Sequence, residues 1–320
     1  MVVHFRPVRP HRRWMLLASL ICLAGSTSSC SLIKGMAMKS MANAMSESSV
    51  VYARDEDPEL VGDALPFLLK TVEGLLVEQP NNETLLLTAC QGFTSYAQAY
   101  VAVPADYREA KDLEGAREER VRASRLFLRG RKYGLRALEL SYPGISKSLL
   151  EDPDKALAKT KKKDVPLLFW TGAAWGGAIN TSKTDMDLVA DLGVANALLQ
   201  RANALDPHWN RGAVHEVLIA LEAARSGGNG GSVEAARKHF EMAVTLSQGK
   251  KAGPYVTLAQ SVSIKEQNLA EFRQLLETAL AVNLDASPDD RLANVLAQRR
   301  ARWLLVHTGD YFIDYDEGNQ

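Results

Sequence analysis

The sequence predicts an all-α protein made of stacked antiparallel helix hairpins. From Asp55 onward alanine and leucine dominate, and apolar residues recur at intervals of three and four, the spacing of helices with one buried face. Turn-forming residues such as Pro80-Asn81-Asn82 and Tyr142-Pro143-Gly144 separate the periodic segments. No segment alternates apolar and polar residues over a useful length, so no strand is predicted.

These breakers bound the predicted helices. In chain order the helices cover roughly residues 57–78, 83–102, 113–141, 146–160, 164–181, 185–205, 210–226, 232–248, 253–266, 269–283 and 289–308. The other boundaries fall at Pro104, Asp206-Pro207, the glycine-rich run 227–231, Gly253-Pro254 and Ser287-Pro288, because proline and glycine interrupt helices.

Several helices end in a shared pattern: a large residue, then a small one and an apolar one, each three positions further on. The copies are Leu199, Ala202 and Leu205; Phe240, Ala243 and Leu246; and Leu276, Ala279 and Val282. Their alanines are 41 and 36 residues apart, close to the repeat of about 34 residues in tetratricopeptide-like helix pairs. The pattern predicts degenerate tetratricopeptide-like repeats in a stack that is curved or closed on itself.

The first thirty residues indicate export. Residues 1–13 carry four arginines and no acid, residues 14–25 are apolar, and small residues lead to Cys30. This order is typical of a secretory signal peptide, whereas a membrane span needs about 20 apolar residues. A cysteine directly after the small residues resembles the lipidation site of a bacterial lipoprotein, although Thr27 stands where leucine is usual. The alternative is ordinary cleavage that leaves Cys30 free.

We therefore expect a signal peptide at 1–29, a tether at 30–54 and a helical domain at 55–320. Ser31 follows the predicted lipidated cysteine, and this favours a lipid anchor in the inner leaflet of the outer membrane, with the protein in the periplasm. Loss of the signal peptide leaves 34 basic against 38 acidic residues, a net charge of −4. That charge argues against a strongly basic nucleic-acid-binding protein.

Cys90 would be the one cysteine left besides Cys30, so no intrachain disulfide is predicted. We expect it to be a small core residue, since no histidine lies near it in the sequence. No cofactor or metal site is predicted. The familiar catalytic motifs are missing, so a binding or scaffolding protein fits better than an enzyme.

Residues 165–180 are the first candidate functional segment. Small residues cover most of this helix, with Trp170 and Trp175 as the bulky exceptions and Asn180 at its end. Such a helix either packs unusually close to its neighbours, which we favour, or forms one wall of a ligand cavity.

Residues 289–312 are the second candidate segment. They combine an apolar helical face that includes Trp303 with a polar face rich in arginine, including Arg299. An arginine fork can hold a carboxylate, and the alternative is a face that forms ion pairs with neighbouring helices. Trp209 opens a third, weaker cluster. The candidate ligand residues are therefore Trp170, Trp175, Asn180, Trp209, Arg299 and Trp303.

Several segments carry a family resemblance. They are FWTGAAWGGAIN (169–180), RANALDPHWNRGAVHEVLIALEA (201–223), HFEMAVTLS (239–247), PYVTLAQSV (254–262) and RLANVLAQRRARWLL (291–305). With the lipoprotein leader, they resemble the T-component family of tripartite ATP-independent periplasmic (TRAP) transporters, over about residues 30–315.

The resemblance implies an all-helical fold of tetratricopeptide-like hairpins, a homotrimer, and an internal pore or cavity in each protomer. It also implies a non-enzymatic role in passing a small solute, apolar or carboxylate-bearing, together with a periplasmic solute-binding protein. Two alternatives stay open. One is a tetratricopeptide-like lipoprotein that scaffolds envelope assembly, and the other is an envelope hydrolase whose catalytic set the sequence does not display.

Overall fold

The computed structural model describes residues 49–225 and 231–313. The predicted signal peptide, Cys30 and residues 31–48 of the predicted tether lie outside the described residues. The predictions made for those segments, including lipidation, stay predictions.

The described residues form helices joined by short turns, and the all-α prediction is confirmed. The α-helices are α1 (Ser49–Ala53), α2 (Pro58–Glu78), α3 (Glu83–Ala97), α4 (Val103–Arg108), α5 (Leu113–Ser141), α6 (Ile145–Glu151), α7 (Pro153–Leu157), α8 (Val165–Thr181), α9 (Met186–Ala190), α10 (Leu192–Leu205), α11 (Ala213–Arg225), α12 (Val233–Ser247), α13 (Gly253–Leu258), α14 (Leu269–Ala281) and α15 (Arg291–Val306). Short 3₁₀ turns cover Lys162–Asp164, Trp209–Arg211, Leu284–Ala286, Pro288–Asp290 and Thr308–Asp310.

Side-chain caps explain where many of these helices begin. Asp57, Asn82 and Asp112 each accept a hydrogen bond from the backbone N–H three residues later, at the starts of α2, α3 and α5. Ser232 and Asn268 do the same for α12 and α14. Each cap satisfies a backbone donor that the helix leaves unpaired, and is worth about 1 kcal/mol. The predicted starts of these five helices agree with the observed ones to within one residue.

Helices that are neighbours in the sequence are also neighbours in space. Helix α3 packs on α2 and α5, α5 packs on α8, and α8 packs on α10. In the second half α11 packs on α12, and α14 packs on α13 and α15. This successive packing is the arrangement that the hairpin prediction requires.

The alanines of the repeat pattern lie where helices meet. Ala202, Ala243 and Ala279 are all fully or almost fully buried. At Ala243 the approach is especially close, because a Cβ on Gly212 would lie 3.2 Å from the Ala243 Cα. Gly212 also has φ of 85°, a backbone conformation that favours glycine.

The stack is closed by its last helix, since α15 packs against both α1 and α2. Arg54 donates to Asp289 at 2.7 Å, and Arg299 pairs with Glu59. We call these two ion pairs, with the contact of α15 on α1 and α2, the closure seam. Of the two geometries that the sequence left open, the described residues adopt the closed one.

Four predicted helices differ from the observed ones. The helix predicted at 185–205 is divided at Asp191 into α9 and α10. The chain stays helical through Pro104, because a π turn at Gln98–Ala102 directly precedes it and widens the helix where the proline ring would clash. The helix predicted at 146–160 is divided at Asp152, whose side chain caps α7. The helix predicted to start at 210 begins at Ala213, because Asn210, Arg211 and Gly212 all have positive φ.

Candidate functional site

The helix that directly follows one π turn, and a second π turn itself, contribute residues to one place in the molecule. The first, Gln98–Ala102, connects α3 to α4, which carries Asp106 and Tyr107. The second, Ala259–Ser263, follows α13 and carries Gln260. Such turns are rare and are often found at functional sites. Residues from both regions surround Arg300 of α15.

Arg300 is buried, with 9% of its surface exposed. Its Nη2 donates to Asp106 Oδ2 at 3.0 Å. With the Gln260 amide oxygen facing the guanidinium, that oxygen accepts from Nη2 at 2.8 Å and from Nε at 3.3 Å. Nη1 has no hydrogen-bond partner among the described protein atoms. Asp106 also accepts from Arg120 at 3.0 Å, so two guanidinium groups share its charge.

Aromatic rings surround the same guanidinium. Its Cζ lies 4.6 Å from the centre of the Trp303 ring and 5.4 Å from that of Tyr107, both within cation–π range. Trp303 also contacts Tyr107 at 5.1 Å and Tyr311 at 6.4 Å between ring centres. These three aromatic residues are each partly exposed, whereas Arg300 is buried. We call Tyr107, Gln260, Arg300, Trp303 and Tyr311 the Arg300 cluster.

The phenols of the cluster are neutral at ordinary pH. Burial raises the pKa of Tyr107 and of Tyr311, and the positive charge of Arg300 opposes that shift in both. Tyr100, on the first π turn, has a buried hydroxyl without a hydrogen-bond partner, and burial raises its pKa to about 12. One permanent cation among neutral rings is suited to an anionic group attached to an apolar body.

The structure places two of the predicted residues on α15. Trp303 belongs to the Arg300 cluster. Arg299 instead lies on the exposed side and pairs with Glu59 across the closure seam. Arg299 therefore forms an ion pair with a neighbouring helix in this structure, which is the second of the two interpretations of the arginine-rich face.

Trp170 and Trp209 are brought together by Phe169. Its ring centre is 5.0 Å from that of Trp170 and 4.7 Å from that of Trp209. Both tryptophans keep part of their surface exposed, and Asn180 is exposed at the end of α8. This aromatic group has no charged member.

Trp175 lies in the core, with 2% of its surface exposed. Its Nε1 donates to Asp191 Oδ2 at 3.1 Å, and the Arg131 guanidinium lies 4.5 Å from the ring centre. In this position Trp175 serves helix packing. The six predicted residues therefore do not form one site.

Sequence reasoning missed the most distinctive residue, since Arg299 was singled out and Arg300 was not. A signal was present: Arg300 precedes Trp303 by three residues and Leu304 by four, so the three share one helical face. Leu304 is fully buried. Asp106, Tyr107 and Gln260 gave no such signal, because their partners are far away in the sequence.

The described residues contain neither a cluster of metal-binding side chains nor a helix able to span a membrane. No group of three or more histidine, cysteine, aspartate or glutamate side chains is placed to hold a metal ion among residues 49–225 and 231–313. Within the same ranges, each helix is too short or too polar to cross a membrane.

The fold and the Arg300 cluster define a helical-repeat protein that is closed by its last helix and has a buried arginine among aromatic rings. The chain belongs to the TRAP transporter T-component family, whose model matches residues 54–312. It is also 32% identical over 268 residues to an uncharacterized protein of Treponema pallidum (strain Nichols), a match that covers 82% of this chain and 83% of that protein. The family resemblance of the sequence is thereby confirmed, and membership indicates an accessory role in a TRAP transporter.

Proposed function

We propose that this protein is a lipid-anchored periplasmic accessory of a TRAP transporter, and that it binds or passes a small solute in concert with a solute-binding protein. The observation that carries the proposal is the family match over residues 54–312, which includes every helix from α2 to α15. The solute is apolar or carries a carboxylate, and the protein works without catalysis. A homotrimer is part of the proposal.

The described geometry is compatible with such a role. The Arg300 cluster offers a cation and partly exposed aromatic surface. The rings of Trp170 and Trp209, which both contact Phe169, offer a second aromatic surface without charge. Ligand sites in proteins commonly combine mostly apolar walls with a few polar groups that fix orientation.

Chemical crosslinking in intact cells, followed by purification of the tagged full chain, tests the partner. We expect a periplasmic solute-binding protein among the crosslinked species. Recovery of an outer-membrane assembly complex without any solute-binding protein would instead favour the scaffold alternative and contradict the transport role.

A separate experiment tests the anchor. Cys30→Ala should release the protein from the membrane fraction, and the intact mass of the exported wild type should include the lipid. The matched control is Cys90→Ala, because Cys90 is fully buried in the domain and should not affect membrane attachment. If the Cys30 variant stays membrane-bound, the lipoprotein assignment is wrong.

A further inference from the structure

Four lysines lie together in the connection between α7 and α8. Residues 159–163 read Lys-Thr-Lys-Lys-Lys, and all four lysines are exposed. Lys162 pairs with Asp206 at 3.1 Å, and among the described residues no carboxylate lies within 4 Å of the other three ammonium groups. We call residues 159–163 the lysine loop. Because residues 30–320 carry 34 basic against 38 acidic residues, this concentration of positive charge is a local feature.

The lysine loop is held in place by buried neighbours. Arg201 of α10 donates to Thr160 Oγ1 at 3.0 Å and to the Thr160 carbonyl at 2.8 Å, and Thr160 is buried. Asp164, which is also buried, accepts from the Lys161 backbone N–H at 2.8 Å and from the Tyr142 hydroxyl. These contacts keep the four cations close together although like charges repel, and such an arrangement suits an anionic partner.

Two tryptophans lie beside the lysine loop. Asp206, the partner of Lys162, accepts a backbone hydrogen bond from Trp209 at 3.1 Å. Trp209 contacts Phe169, which also contacts Trp170, and both tryptophans are partly exposed. Lysine next to partly exposed tryptophan is typical of protein surfaces at a membrane interface, where the indole lies at the level of the headgroups.

This combination favours a membrane over an acidic protein as the partner. Protein–protein interfaces are enriched in tryptophan but depleted of lysine. An anionic lipid surface, in contrast, attracts every lysine that lies within a Debye length of it, about 10 Å at 0.1 M ionic strength. A membrane can therefore use all four cations and the two indoles together.

We propose that the lysine loop, with Trp170 and Trp209, docks the domain on a membrane surface that contains anionic phospholipids. This inference goes beyond the proposed function, because it names the face of the domain that meets the membrane. A lipid on Cys30 would attach the chain but would not orient the domain. The docking surface does not depend on lipidation, so the two can be tested separately.

Sedimentation with lipid vesicles tests the docking surface. The chain from residue 30 onward is produced without the predicted leader and with Cys30→Ser, so that it carries no lipid. The described helices form a compact unit without residues 1–45, and the chain used therefore keeps all of them. We expect it to bind vesicles of phosphatidylcholine with phosphatidylglycerol at least about tenfold more tightly than vesicles of phosphatidylcholine alone. This preference should disappear in ~0.5 M salt, which screens the charges.

Two charge variants locate the binding surface. K159Q/K161Q/K162Q/K163Q should weaken binding to the anionic vesicles by at least about tenfold. The matched control, K70Q/K111Q/K183Q/K238Q, removes the same charge from exposed lysines elsewhere in the domain and should bind as the parent does. K161Q/K163Q leaves the Lys162 ion pair intact and should lose part of the affinity, so it decides the matter if the fourfold variant does not fold.

A tryptophan variant separates a membrane from an acidic protein. Trp170→Ala should weaken binding to the anionic vesicles several-fold. The same variant should bind soluble polyglutamate as tightly as the parent, because polyglutamate offers negative charge without a lipid interface. Unchanged binding to polyglutamate also shows that the variant is folded.

Equal binding of the parent to both kinds of vesicle overturns the inference. So does a loss in the control variant as large as that in K159Q/K161Q/K162Q/K163Q, or unchanged binding by both loop variants. Unchanged vesicle binding by Trp170→Ala would assign the lysine loop to an acidic protein and would also overturn it. Because the vesicle assay uses a chain without lipid, its failure leaves the lipid anchor and the transport role untouched. Membrane release of full-length Cys30→Ala and crosslinking to a solute-binding protein test those two separately.

Discussion

The close contact of α5 with α8 makes a stability prediction that can be worked out in detail. Gly134 of α5 faces Thr171 of α8 and Cys90 of α3, both of which are fully buried. A Cβ at Gly134 would overlap the Thr171 hydroxyl and would lie 2.9 Å from Cys90 Sγ. We therefore predict that Gly134→Ala destabilises the fold.

The magnitude follows from how little the neighbours can move. The Thr171 hydroxyl donates to Leu167 O at 2.6 Å, so rotating it away loses a buried hydrogen bond. Overpacking of this kind costs about 1–3 kcal/mol, and alanine returns about 0.5–1 kcal/mol of helix propensity. We expect the free energy of unfolding to fall by about 1–2 kcal/mol, measured by urea denaturation monitored by circular dichroism.

Gly74→Ala is the matched control. Gly74 lies on the exposed side of α2, and a Cβ there would meet nothing within 4 Å. The same substitution should therefore stabilise the protein by about 0.5–1 kcal/mol. A Gly134→Ala protein as stable as the wild type would refute the close-packing argument, and so would equal losses in the two variants.

Three further predictions concern charge and burial. Burial, reinforced by the charge of His239, lowers the pKa of His215 from 6.5 to about 4. Between these two pH values His215 is protonated in the unfolded chain but not in the folded one. The free energy of unfolding should therefore fall as the pH drops from about 6.5 to 4. Urea denaturation across that range should show a weaker fall for His215→Phe, and a constant difference between the two proteins would contradict the assignment. Glu59→Gln, which breaks an exposed pair with Arg299, should cost less than about 1 kcal/mol and nothing measurable in 1 M salt. A larger or salt-independent loss would mean that Glu59 stabilises the protein by more than its charge. Trp175→Phe removes the hydrogen bond to Asp191 and should cost about 1–3 kcal/mol in the same assay; an unchanged midpoint would indicate that water replaces the indole N–H.

The helices could be predicted because their limits are set locally. The α8 helix was expected at 164–181 and is found at Val165–Thr181, since proline near its start and a polar turn at its end act within a few residues. The prediction failed at Pro104, where an intervening π turn changes the usual effect of proline. It failed again at Asn210, where a contact from far away holds the turn: Lys251 Nζ donates to the Asn210 carbonyl at 2.7 Å.

The site was less predictable for a different reason. The arginines and Trp303 of α15 identify this helix as a candidate ligand-binding segment. The choice between Arg299 and Arg300 depends, however, on what packs against each side of the helix. The partner of Arg300 is Asp106, 194 residues away, and the partner of Arg299 is Glu59, 240 residues away. The spacing of apolar residues shows which face of a helix is buried, but it contains no information about partners so far away in the sequence.

Closure of the stack connects these observations. In an open solenoid each repeat contacts only its neighbours, so the first and last repeats act independently. Here α15 lies against α1 and α2, and its Arg300 also contacts Asp106. The Arg300 cluster consequently exists only when α15 lies against α4.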